Sequence, residues 1–103
     1  METTHKLPHP GNGYTNGTCR QGYIRATYAE LVAALGEPNA LSDGEKTDAE
    51  WAFRTEGGVV ATLYNWKNGP NFTGLGFVED IEEWNIGGFG QDAVVLINAL
   101  LGR

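Results

Sequence analysis

At 103 residues, with 41% apolar side chains, three Trp, four Tyr and four Phe, the chain is sized for one modest core and has the rings to build it, which excludes both a second domain and an acidic disordered chain. The formal net charge of −6 is unevenly spread: residues 1–26 hold Lys6, Arg20 and Arg25 against Glu2, while the rest hold four bases against twelve acids, so no basic cluster exists to displace counterions from DNA or RNA. A single cysteine excludes an internal disulfide, no run approaches the roughly 18 apolar residues of a membrane span, and the first residues lack the apolar run of a signal peptide, so the cytoplasm is the expected compartment.

Residues 1–20 place Gly11, Gly13 and Gly17 among two prolines without periodicity and are expected to form an irregular arm ahead of a single α+β domain over 21–103. The two N-x-T sequons, at Asn16 and Asn71, follow from this Gly/Asn/Thr-rich composition. Gly22 to Ala26 alternates Tyr23 and Arg25 with Ile24 and Ala26, as a short strand does. Thr27 and Glu30 then stand at capping-box spacing, and Tyr28, Leu31, Val32 and Leu35 form one apolar stripe. Gly36 and Pro38 close that helix.

After a polar loop over 39–48, Ala49, Trp51 and Phe53 alternate with Glu50, Ala52 and Arg54, predicting a strand with both large rings on one face. Glu56-Gly57-Gly58 supplies a turn into a second strand, Val59 to Trp66, with Val60, Thr62, Tyr64 and Trp66 on one side and partial cover on both. A turn-rich loop precedes "EEWNI", read as a third antiparallel strand. The last helix, about Gln91 to Leu101, is apolar on more than one side. The order β-α-β-β-β-α implies a small antiparallel sheet of three to four strands with two helices packed on one face. Of Trp51, Trp66 and Trp84, at least two are expected in the core, and any ring left outside would mark a contact surface.

The candidate site begins at "WNIGGFGQDAVV". A helix start exposes backbone amides and a partial positive charge, so Gly87, Gly88 and Gly90 would let an anion approach, with Trp84 or Phe89 stacking on a base; Asp92 and a simple chain turn offer a structural account of the same residues. The stretch lacks the P-loop and dinucleotide signatures. Arg20 and Arg25, with Lys6, are the close-set bases able to grip phosphate, and Tyr23 and Tyr64 add stacking surface. Glu79, Asp80, Glu82 and Glu83 form an acidic run suited to a basic protein surface. Catalysis has little footing: Cys19 has only His5 and His9 as imidazole partners, all in the arm, and neither a metal site nor a cofactor is expected.

Three segments, "QGYIRATYAELVAALGEPN", "DAEWAFRTEGGVVATLYNWK" and "EEWNIGG", together resemble a group of small α+β proteins encoded by bacteriophages and prophages, over residues 20 to 100. Where that group has Gly-Gly-His at the corner, this chain has Gly88 followed by Phe89. The resemblance implies a non-enzymatic anti-defence role in the cytoplasm of an infected bacterium. The leading expectation is sequestration of a nucleotide-derived immune signal by Trp84, Gly87, Gly88, Phe89, Gly90, Arg20, Tyr23 and Arg25, in a homo-oligomer. The alternatives are an acidic protein-protein inhibitor of a defence effector, working through Glu79, Asp80, Glu82 and Glu83, and a minor virion or assembly protein. Direct nucleic-acid and membrane partners are not expected.

Overall fold

The computed structural model describes residues 4–6, 17–40 and 44–103. Strands β1 (Thr4–Lys6), β2 (Cys19–Arg25), β3 (Glu50–Thr55), β4 (Val60–Tyr64) and β5 (Glu83–Gly88) form one antiparallel sheet in the order β1-β3-β4-β5-β2. Helices α1 (Tyr28–Leu35) and α3 (Asp92–Leu100) pack on it, and two short helical turns, α2 (Pro70–Thr73) and a 3-10 turn (Val78–Asp80), lie in the loop after β4. This is the expected α+β layer arrangement, with one strand more. Thr4–Lys6, within the expected irregular arm, pairs with Phe53–Thr55 and so caps the outer margin of β3. A three-residue strand carries too little periodicity to show in sequence. The rest of the arm up to residue 16, His9 included, lies outside the described residues.

Register explains which side chains meet. Trp51, Leu63 and Ile86 stand in one cross-strand row, and Trp84 pairs with Ile24, all on the face beneath the helices. Trp51 and Trp84 are both fully buried, cross edge to face with ring centroids 5.5 Å apart, and are joined by Tyr28 from α1. A buried indole must place its N–H on an acceptor. Trp84 Nε1 donates to the Ala26 carbonyl at 3.0 Å and Trp51 Nε1 donates to the Gly36 carbonyl at 2.9 Å, so the two rings hold the chain just before and just after α1.

The ends of α1 match their sequence signals. Thr27 Oγ1 accepts from the Glu30 amide, the Glu30 carboxylate accepts from the Thr27 amide, and these bonds hold the Glu30 carboxyl below its ordinary pKa. Gly36, at φ 80°, turns the chain out of the helix while its N–H reaches the Val32 carbonyl. The third tryptophan is the ring left outside: Trp66 is 45% exposed and lies beyond the end of β4, which stops short of the expected strand end.

A polar hub braces the loop after β4. Asn65 is fully buried; its Oδ1 accepts from the Asp48 and Ala49 amides and its Nδ2 donates to Asp48 Oδ1 and Asn68 Oδ1. Asp48 Oδ2 in turn accepts from the Asn71 amide, and Asn71 Nδ2 donates to the Thr47 carbonyl. Any side chain at Gly69 would overlap Asp48 and Asn65, which is why the turn into α2 is glycine.

Trp84→Phe retains most of the ring but strips the Ala26 carbonyl of its donor. Urea unfolding should show a loss of about 1–3 kcal/mol with an unchanged m-value, the cost of a buried acceptor left unmet.

Candidate functional site

The glycine corner is placed differently from expectation. Gly87 and Gly88 belong to strand β5, opposite Arg20 and Cys19 of β2, and both are buried. A Cβ on Gly87 would overlap Thr62 Oγ1, and one on Gly88 would overlap the Ala93 side chain and sit 3.0 Å from the Val60 carbonyl. The bare Gly88 admits α3 close to the sheet, as does Gly22 beneath Val94, while the bare Gly87 makes room for Thr62 and Tyr64 on the opposite face. Trp84, expected to stack on a base, lies in the core with its N–H engaged.

Three amides in the first turn of α3 are met from within the molecule. The Ala93 amide donates to Gly90 O, and the Val94 and Val95 amides donate to Gln91 O. Of the corner residues, Phe89 is 62% exposed and Gly90 is half-buried beside Asp92. The expected anion seat formed by Gly87, Gly88 and Gly90 is therefore replaced by a strand end and a short turn. Alongside α3, a groove of about 370 Å³ is lined by residues that include Thr4, Thr55, Val59, Asp92, Val95 and Leu96. An aliphatic lining with one carboxylate does not suit an anion.

Two other assemblies emerge. On the sheet face opposite the helices, Tyr64, Asn85 and Tyr23 share one cross-strand row, and Arg20 donates from Nε to Asn85 Oδ1 at 3.1 Å. The Arg20 guanidinium lies 5.7 Å from the Tyr23 ring centroid. Burial lifts the Tyr64 hydroxyl above its ordinary pKa, Glu50 adds to the rise, and Arg20 opposes it. Arg25, grouped with Arg20 in the sequence, instead meets Glu83 at 4.0 Å in a solvated pair. Lys6 lies on β1, at the far margin of the sheet from β2, so it does not join them.

The second assembly sets three apolar side chains, not expected from sequence, beside the expected acidic run. Phe72, Leu75 and Phe77 are 52%, 78% and 72% exposed on the braced loop that leads into the acidic run. Asp80 Oδ2 accepts from the Phe77 amide at 2.9 Å, which fixes the backbone where the loop enters the acidic run, and Glu79, Glu82 and Glu83 are exposed in that run. Thr73 Oγ1 donates to Gly69 O and accepts from the Leu75 amide, so the apolar residues ride on a hydrogen-bonded frame. The sequence signal was available in "NFTGLGF": three large apolar residues spaced by Gly and Thr in a loop too polar to bury them.

Among the described residues, no group of three or more His, Cys, Asp or Glu side chains is placed to hold a metal ion, and no helix is long and apolar enough to cross a membrane. Cys19 is exposed, with Sγ 3.9 Å from the Gly17 carbonyl. Gly88→Ala should lower stability by about 1–3 kcal/mol through overpacking against α3, whereas Gly90→Ala should change it by less than about 0.5 kcal/mol; thermal melts of the two variants separate a packing role from a corner role. Comparison with protein-family models, curated protein sequences and solved structures finds no match to this chain.

Proposed function

We propose that the chain is a non-enzymatic binding protein whose working surface is the loop and turn over residues 72–83, and that its partner is a protein presenting a basic surface around an apolar pocket. The observation that carries this reading is the exposure of Phe72, Leu75 and Phe77 on a loop held by Asn65, Asp48 and Thr73. Exposed rings on a mobile segment pay an ordering cost on binding; rings on a braced loop avoid most of it and serve as anchors. Glu79, Asp80, Glu82 and Glu83 beside them select the sign of the partner and speed encounter. Together with the resemblance to phage-encoded proteins, this makes the chain an inhibitor that covers a basic functional surface of a bacterial defence effector, such as the groove of a nuclease.

Sequestration of a nucleotide signal is the second reading. It loses its seat at the start of α3 but keeps Arg20 and Tyr23, which the sheet brings together.

The test is expression in bacteria that each carry one anti-phage system, with plating of a phage that the system restricts. The wild-type chain should restore plating against at least one system and bind its purified effector, more weakly at high salt. Phe77→Ser should weaken binding by about 30-fold, as loss of a buried anchor does, and Glu79→Lys with Glu82→Lys by about tenfold or more. Restoration that survives all three substitutions but disappears with Arg20→Gln would reject the contact surface in favour of the second reading.

A further inference from the structure

In a regular strand, residues three apart point to opposite faces, so Arg20 and Tyr23 ought not to meet. They meet because β2 is bulged. Arg20 pairs with Gly87 and Gly22 pairs with Ile86, leaving Gln21 as an extra residue that two positions on β5 do not match. The bulge swings Arg20 onto the face of Tyr23 and Asn85, away from the helices. It is held there: Gln21 Nε2 donates to Gly88 O at 3.0 Å, and Gln91 Nε2 donates to Gln21 O at 3.0 Å. Bulges re-aim side chains and concentrate beside functional sites, whereas an ordinary solvated arginine needs no such device.

What the bulge presents is a prepared cation. Arg25 and Arg103 each face a carboxylate, Glu83 and Glu30 respectively, but Arg20 is anchored by a neutral amide. Its Nε is spent on Asn85 and its Cζ lies 5.7 Å from the Tyr23 ring centroid, which leaves the two terminal nitrogens as a pair of donors; among the described residues they form no ion pair with an acid. Such a fork matches two oxygens of a phosphate, and the Tyr23 ring, 56% exposed, with Tyr64 in the same row, offers flat surface for an attached ring. Gly87, opposite Arg20, adds no side chain above the sheet at this point.

We propose that the bulge at Gln21 builds a binding site around Arg20, Tyr23 and Asn85 for a nucleoside monophosphate, a sugar phosphate monoester whose aromatic base is joined to the phosphate through the sugar. The site is separate from the contact surface over 72–83 and stands whether or not that surface is used.

The experiment is an NMR titration of the full chain with AMP, inorganic phosphate and adenosine in parallel. AMP should shift the Arg20 Nε–H and the Tyr23 ring saturably, and more tightly than either fragment. Arg20→Gln should weaken AMP by about tenfold or more, and Arg20→Lys should not restore it, because an ammonium supplies neither the anchored nitrogen nor the planar fork. Tyr23→Ala should weaken AMP more than phosphate. Both positions are exposed, so unchanged melting temperatures are expected for these variants. Absence of saturable shifts at millimolar AMP, shifts that leave Arg20 and Tyr23 untouched, phosphate binding as tightly as AMP, or affinity unchanged by Arg20→Gln would each overturn the proposal.

Discussion

The architecture depends on two indole N–H groups. Trp51 and Trp84 cross at the centre of the sheet's covered face, and each donates its one hydrogen bond to a carbonyl at opposite ends of α1. The edge-to-face contact adds about 1 kcal/mol beyond burial, but its larger effect is geometric. With both ends of α1 tied to rings that cannot move, the helix has one position over the sheet. The large apolar side chains then occupy that face, and polar chemistry is confined to the opposite face and to the loops. Arg20 with Tyr23 is an outcome of that confinement, whereas Phe72, Leu75 and Phe77 are apolar side chains that find no place on the covered face.

Glycine does two unlike jobs here. Gly36, Gly58 and Gly74 hold positive φ, where a side chain is strained. Gly87 and Gly88 are ordinary extended residues whose missing side chains admit Thr62 from one side and Ala93 from the other. Both jobs look the same in a sequence, since a Gly-Gly pair between a strand and a helix is equally a hinge, a cradle or a packing seam. Only the atoms that a Cβ would meet decide between them.

That ambiguity sets how far the chain could be read in advance. The α1 capping box, the Gly36 stop, the turn at residues 56–58 and the in/out alternation of Trp51 and Phe53 are local signals, and each was visible from neighbouring residues. β1 was hidden because three residues carry no periodicity. The strand membership of Gly87 and Gly88 was hidden because it depends on pairing with β2 and β4. Arg20 and Tyr23 were recognisable as chemistry but not as neighbours, since a bulge is a property of two strands at once. The exposure of Phe72, Leu75 and Phe77 was hidden because apolar residues in a loop are as often folded inward as left outside, and only the packing of that loop decides.

The strand order also has a consequence for the sheet's outer rim. β3 is shielded along that rim by two pieces from distant parts of the chain, the Thr4–Lys6 strand at one end and the Ala40 bridge to Glu50 at the other. Both covers are brief. A shortened version lacking its first six residues would leave the backbone groups of Phe53 to Thr55 open to any passing extended peptide, inviting fibrillar stacking. A purification handle is accordingly better carried after Arg103 than before Thr4.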